Sequence, residues 1–333
     1  MLKPKTKVLI AAGGSGGHLF PAQTVAKELS DCQVLFAGHK LGSSLFFDRN
    51  ISYQEIVSSN RNLFILFRGV LQSLRLIFRF QPDVVVGFGS FHSLPLLLAA
   101  FVMRKKIVLF EANCSFGKVN QLLFPFAKKT ALQFPFRKGK KIDYVPLLPW
   151  NQKFQKIEKT AARKFYGLQP DLFTILVFGG SQGAKFINDT FCKSAKLLDF
   201  PFQVIHLTGK ENPPISYEVP SVVKPFEEQM HYAYSAADMA VCRCGAGTTA
   251  ELIRFQIPSV VIPYPYAHDH QRKNGEFLKK GTRILLQKDA NAEKLSTEIQ
   301  NLRQCLQMHK EAIQNIELPQ TTLFSEIIRN MGK

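Results

Sequence analysis

Short, continuous apolar runs recur along the chain, each closed by glycine or polar residues and most followed by a stretch of helical periodicity. They cover residues 7–12, 33–37, 84–87, 107–111 and 130–134 in the first half, then 173–178, 203–208, 221–224, 239–243, 259–263 and 283–286 in the second. Unbroken apolar strands with helices between them predict parallel sheets covered on both faces. Two segments share one layout of apolar run, glycine cluster and helix. The first leads from Lys7 through Gly13-Gly-Ser-Gly-Gly-His18 into a helix reaching about Leu29; the second leads from Phe173 through Gly179-Gly-Ser-Gln-Gly-Ala184 into a helix reaching about Leu198. They lie half a chain apart, so the expected fold class is α/β, with two tandem Rossmann-like domains and a cleft between them. The Pro-rich stretch 145–151 reads as the linker. The expected divisions are 1–148, 149–318 and a C-terminal helix at 319–333 that can pack back on the first domain.

Composition changes this picture at two points. Hydrophobic residues at 46%, charged residues at 20%, 21 Gly and 18 Pro are ordinary for a globular protein, but 29 Phe and a net charge of +18 are not. The charge sits mainly in residues 1–150, which hold 20 Lys+Arg against 7 Asp+Glu; the rest hold 23 against 18. A basic half favours a polyanion, whether nucleic acid, an anionic membrane face or a phosphorylated small molecule. The six cysteines form no Cys-x-x-Cys pair, which predicts a reduced protein without a zinc site. The apolar run after the basic N-terminus is too short for a signal peptide. The longest apolar stretch, 94–103, contains Pro95 and stops at Arg104, well short of the ~20 residues of a membrane span. Neither export nor a transmembrane segment is expected.

Each glycine turn at a strand end offers backbone N–H groups and a helix N-terminus to an anion. The first departs from the dinucleotide fingerprint: Leu19 stands where the third glycine belongs, and the strand ending near His39 brings no acid for a ribose. Neither half carries the P-loop pattern. His18 follows the first turn and can act as a general base, or simply hydrogen-bond its own loop. In the second half, Cys242-Arg-Cys-Gly-Ala-Gly-Thr-Thr-Ala-Glu251 closes another strand and places Glu251 in the first turns of a helix, suited to sugar hydroxyls. Residues 263–274 are rich in side chains that bond hydroxyls. His268, Asp269 and His270 lack the further ligand a metal site needs, so no metal is expected. With no Asp-x-Asp in the sequence, a leaving diphosphate is expected to rely on backbone amides and helix dipoles. Segments 63–80, 122–129 and 134–141 interleave Phe and Leu with Arg and Lys, as a peripheral membrane surface requires. The alternatives are a buried helix with a charged rim and, less in keeping with a helix, a single-strand-binding surface.

Four blocks together resemble the MurG-type family of GT-B glycosyltransferases, which makes lipid II in peptidoglycan synthesis: Gly13 to His18, Gly87-Phe-Gly-Ser-Phe91, Gly179 to Ala184, and Arg243 to Glu251 followed by Asp269-His-Gln-Arg-Lys-Asn274. The resemblance spans nearly the whole chain. It implies an inverting enzyme that moves N-acetylglucosamine from UDP-N-acetylglucosamine to the 4-hydroxyl of lipid I, without cofactor, metal or nucleic acid, at the cytoplasmic face of the membrane. It implies donor contacts at Ser15, Gly16, Gly17, Ser181, Gln182, Phe226, Glu227, Met230, Ala246, Gly247, Thr248, Glu251, His270 and Gln271. Acceptor contacts fall on Gly14, Gly89, Ser90, Phe91 and Asn113, and the catalytic residues implied are His18 and, as second candidate, Glu111. Against the family pattern, Asn151 replaces an arginine, Phe110 and Ala112 replace polar residues beside Glu111, and Phe91 replaces a tyrosine. The competing readings are an NAD-type oxidoreductase and a non-catalytic binder of sugar nucleotide or lipid phosphate.

Overall fold

A computed structural model describes residues 5–13, 16–44, 46–58, 62–147, 154–213, 215–266 and 269–332. Gly14, Ser15, His268 and Asn151, with most of the expected linker, lie outside them. The chain divides into two compact units, Met1–Trp150 with Leu318–Lys333, and Asn151–Glu317.

Among the described residues the first unit carries β1 (Lys7–Ala11), β2 (Gln33–Gly38), β3 (Tyr53–Glu55), β4 (Val84–Gly87), β5 (Lys106–Glu111), β6 (Lys129–Leu132) and β7 (Ile142–Tyr144). All pairs are parallel, in the order β3-β2-β1-β4-β5-β6-β7. Its helices are α1 (Gly16–Glu28), α2 (Leu63–Phe80), α3 (Leu94–Val102) and α4 (Lys118–Leu123). Alternation along the strands splits the core in two. Val8, Ile10, Val84 and Val86 face one layer, and Leu9, Ala11 and Val85 face the other.

The second unit carries β8 (Phe173–Phe178), β9 (Phe202–Leu207), β10 (Ser221–Lys224), β11 (Met239–Cys242), β12 (Ser259–Val261) and β13 (Thr282–Ile284). They form a parallel sheet in the order β10-β9-β8-β11-β12-β13. Its helices are α5 (Lys159–Phe165), α6 (Lys185–Ala195), α7 (Met230–Ala236), α8 (Ala246–Phe255), α9 (His270–Leu278), α10 (Ala292–Gln304) and α11 (Leu306–Gln314). The last helix, α12 (Phe324–Gly332), returns to the first unit, where Phe324, Ile327 and Ile328 join the core layer of Val8 and Ile10. Arg329 fastens it to the Asp31 carboxylate and the Glu28 carbonyl.

Both sheets therefore have the doubly wound order, which reverses between β1 and β4 and between β8 and β11. Ligands in such sheets bind beyond the carboxyl ends of the strands at that reversal. The apolar-run pattern predicts every strand except β3 and β7. These edge strands are three residues long; β3 is exposed throughout and has no apolar run to betray it. In the segment expected at a membrane around 122–141, Phe134 and Leu123 are buried, and the partly buried Phe116, Phe124 and Phe136 form one aromatic cluster capped by the Arg137 guanidinium, 4.5 Å from the Phe124 ring. Leu122 and Phe126 stay exposed, as do Lys128 and Arg137.

Candidate active site

In the first unit, Ala11 at the end of β1 stands in register with Gly87 at the end of β4, so the turns that follow them flank the reversal point. Gly16, Gly17 and His18 open α1. The His18 Nδ1 lies 2.8 Å from the Phe88 carbonyl. A carbonyl only accepts, so Nδ1 carries a proton, and in the neutral tautomer this selects, the lone pair is on Nε2. Gly89, beyond β4, packs close to the His18 ring and to Asn120. Ser90 accepts the His92 N–H through Oγ and caps the short turn Phe91–Ser93; Phe91 is at the edge of exposure.

Glu111, at the end of β5, is buried and fully engaged. Its Oε1 accepts from the Asn113 backbone and side-chain N–H groups at 3.1 and 3.0 Å, and its Oε2 from Gly117 N and Asn120 Nδ2, both at 2.9 Å. These four hydrogen bonds engage both oxygens and make Glu111 the holder of the 111–117 loop. Sequence reasoning missed Asn120, which also bonds the Phe110 carbonyl at 2.8 Å and whose Oδ1 has no partner among the described residues. Its signal was a polar side chain between the buried Val119 and Leu123. His39 and His92, stacked with centroids 5.5 Å apart beside Gly13, were likewise missed. Burial and the neighbouring His39 and His18 hold the His92 imidazole below its ordinary pKa.

In the second unit the same reversal places the turn after β8 beside the turn after β11, with Phe178 in register with Cys242. Ser181, Gln182, Gly183 and Ala184 lead into α6. Gly180 and Gly183 have φ of 94° and 75°, and Gly209 beyond β9 has 91°. Gly183 and Gly209 pack backbone against backbone: a Cβ on Gly183 would stand 2.1 Å from the Thr208 carbonyl, and one on Gly209 2.4 Å from that of Gln182. Only glycine fits either position.

Ala246, Gly247 and Thr248 form the first turn of α8, all partly exposed, and Glu251 follows one turn later. The Tyr234 hydroxyl donates to Glu251 Oε2 at 2.6 Å. Surrounding protein pushes the Glu251 carboxyl up from its ordinary pKa, against the opposing effect of that hydrogen bond. At the start of α9, Gln271 Oε1 accepts from Cys244 N and Tyr264 N, while Asn274 Nδ2 donates to the Cys244 carbonyl. Arg243 donates to the Ile262 and Pro263 carbonyls. These contacts staple the turns after β11 and β12 to α9, bringing Gln271 to the turn after β11, with His270 beside it. Phe226 and Glu227 lie between β10 and α7, and Met230 opens α7. The Glu227 carboxylate is occupied by Lys224 Nζ, Tyr166 Oη and Gln229 N, and these bonds hold its pKa down against the opposing effect of burial. Its side chain is thus structural, and recognition there would fall to the main chain. No cluster of metal-ligating side chains occurs among the described residues.

The Glycosyltransferase family 28 N-terminal domain model matches residues 8–132, and the Glycosyltransferase family 28 C-terminal domain model matches residues 174–328. A curated relative from Protochlamydia amoebophila, named UDP-N-acetylglucosamine N-acetylmuramyl-(pentapeptide) pyrophosphoryl-undecaprenol N-acetylglucosamine transferase, is 38% identical, covering 97% of this chain and 95% of its own length. A relative of the same name from Aquifex aeolicus is 34% identical, covering 92% and 94%. Among solved structures, MurG of Acinetobacter baumannii is similar with a TM-score of 0.79 at 27% identity, over 98% of this chain and 99% of that one.

Proposed function

The chain belongs to glycosyltransferase family 28, and on that premise we propose that it transfers N-acetylglucosamine from UDP-N-acetylglucosamine to the 4-hydroxyl of the muramyl sugar of an undecaprenyl-diphosphate-linked acceptor, lipid I. The observation that carries the reading is the hydrogen bond from His18 Nδ1 to the Phe88 carbonyl. It leaves Nε2 as a proton acceptor at the end of β1. As the acceptor oxygen attacks the anomeric carbon from the face opposite the diphosphate, its proton passes to Nε2. The bond from the anomeric carbon to the β-phosphate oxygen breaks, and UDP leaves with that electron pair.

The first unit takes the acceptor, with Gly14, Gly89, Ser90, Phe91 and Asn113 beside it. The second unit takes the donor. The glycine turn and the α6 and α8 N-termini stabilise the leaving diphosphate through backbone N–H groups and helix dipoles, with Ser181, Gln182, Ala246, Gly247 and Thr248 nearest it. Glu251 accepts from the ribose hydroxyls through an oxygen oriented by Tyr234, and His270 and Gln271 meet the sugar. The main chain at Phe226–Glu227, with Met230, edges the uracil and excludes purines by size. Incubating the purified protein with UDP-N-acetylglucosamine and a lipid I analogue tests the reading: UDP and the disaccharide product should appear together. No acceptor-dependent release of UDP would sink it.

The enzyme works as a peripheral protein on the cytoplasmic membrane face through the outer side of α2. Leu66, Val70, Leu74 and Ile77 turn that helix inward, yet its outer side is not polar: Phe64 is 76% exposed, Phe67 61% and Phe78 69%, with Leu63 and Leu71 also exposed. Arg68, Arg75 and Arg79 share that face. An apolar stripe flanked by arginines suits the headgroup layer of an anionic bilayer, whose diphospholipid is the acceptor. No helix among the described residues is long and apolar enough to cross a membrane.

A further inference from the structure

Behind the 179–184 turn, buried and partly buried polar side chains make one continuous chain of hydrogen bonds that the reaction above does not use. Cys192 Sγ on α6 lies 3.5 Å from Tyr217 Oη, which is 2.6 Å from His206 Nδ1 on β9. His206 Nε2 is 3.0 Å from Asn188 Oδ1 on α6, and Asn188 Nδ2 is 2.9 Å from the Thr208 carbonyl. Asn212 Nδ2 bonds the same carbonyl at 2.8 Å. His206 has no accessible surface.

The direction of each bond follows from chemistry. An amide oxygen only accepts, so His206 Nε2 carries the proton. In a neutral imidazole the lone pair is then on Nδ1, and the Tyr217 hydroxyl fills it. Burial keeps the ring neutral by pushing its pKa down to about 4. Tyr217 oxygen in turn accepts the Cys192 S–H. Each donor has one acceptor, so the amide of Asn188 cannot flip without breaking the chain.

The chain ends on the carbonyl against which Gly183 packs, and Gly209, the next residue, interlocks with Gln182. Asn188 is also in the first turn of α6. One amide therefore ties the N-terminus of the phosphate-facing helix to the end of β9. Apolar side chains could fill this volume without desolvating polar groups, whereas a satisfied polar network specifies one arrangement. We propose that Asn188, His206 and Tyr217 are positioning residues for the donor diphosphate, locking the backbone of the 179–184 turn against Thr208–Gly209. The proposal rests on the reading that the second unit takes UDP-N-acetylglucosamine.

Calorimetric titration of UDP into the full-length protein, with steady-state kinetics and thermal melts on the same samples, tests it. Tyr217→Phe and His206→Leu should weaken UDP about tenfold, the size of one lost hydrogen bond, and raise the donor KM in proportion while leaving the acceptor KM within about twofold. His206→Gln, whose amide N–H can still donate to Asn188, should recover most of the affinity. A folded His206→Leu protein that binds UDP like the wild type, or loses only kcat, overturns the proposal. If His206→Leu does not fold, Tyr217→Phe decides, and unchanged UDP affinity in that variant overturns it equally. A wild-type protein that does not bind UDP overturns the donor reading itself, and the proposal with it.

Discussion

The turns after β1 and β8 start from the same local plan and end in different chemistry. Both follow a buried parallel strand, both are glycine-rich, and both open a helix beside the reversal of strand order. The first ends on a histidine whose ring is anchored to a carbonyl on the neighbouring strand end, leaving one nitrogen to take a proton. The second ends on an alanine and has no titrating side chain, but its backbone is wedged against the end of β9 and backed by neutral, directional hydrogen bonds. A strand-turn-helix unit supplies a dipole and N–H groups wherever it occurs. Proton transfer or anion binding is then decided by what the adjacent strand ends contribute.

The largest expected effect separates the turns by role. His18→Ala should lower kcat by roughly 10²–10⁴-fold, the range for loss of a general base, with donor affinity almost unchanged. A mutant with near-native kcat would reduce the first turn to an anion site like the second. The next effect tests the wedge. Gly183→Ala puts a Cβ 2.1 Å from a backbone oxygen at φ 75° and should cost at least about 1–3 kcal/mol, read as lost UDP affinity or a lower melting point. Gly13→Ala meets the His92 side chain at 2.9 Å and backbone no nearer than His39 N at 3.6 Å, and should cost less. Equal costs would erase the distinction.

Glu251→Ala should raise the donor KM by an amount worth about 1–3 kcal/mol while sparing the acceptor KM; an unchanged donor KM would remove Glu251 from the ribose. A pH experiment reports on the network behind the second turn. His206 titrates at about 4 in the folded state against an ordinary 6.5, so the unfolded chain takes up the proton first. Its contribution to stability is complete above about pH 6.5 and lost as pH falls toward 4. Between pH 6.5 and 5 that is about 2 kcal/mol. Urea unfolding should show this loss in the wild type and not in His206→Gln; identical pH dependence would mean the ring is not buried neutral.

The smallest effects concern the outer surface of the first unit. Each arginine on α2 should add about 1 kcal/mol of salt-sensitive attachment to anionic vesicles, and the phenylalanines an apolar part that salt does not screen. Changing Phe64, Phe67 and Phe78 to Ser should abolish the salt-resistant fraction in sedimentation. Retention of that fraction would place the membrane contact elsewhere.

Much of the architecture was legible in sequence because a strand buried on both faces is apolar at most positions, as 84–87 and 239–242 are throughout. Glycine clusters at strand ends marked both turns for a similar reason: backbone cannot approach backbone past a Cβ. The short edge strands escaped because exposed residues such as Tyr53, Gln54 and Glu55 pack on nothing and carry no pattern. The positions of His18, of both glycine turns and of Glu251 after a strand were readable in the same way.

What residue type and spacing could not decide was which polar groups are already spent. Glu111 stood in the sequence as a carboxylate without visible partners, and folding surrounds it with four donors; folding likewise brings Lys224, Tyr166 and Gln229 to Glu227. Within 122–141, spacing did not show that Phe124 and Phe136 would each pack on Phe116. Conversely, His206 lay unnoticed inside an apolar strand, although the fold gives each of its nitrogens a partner from a different element. The sequence by itself determined the two doubly wound sheets and the positions of their glycine turns, because continuous burial and close backbone approach each restrict residue type at a single position. Tertiary structure alone decided which histidine keeps a lone pair and which carboxylate keeps an oxygen, because a hydrogen bond depends on a partner many residues away and on the direction from which it comes.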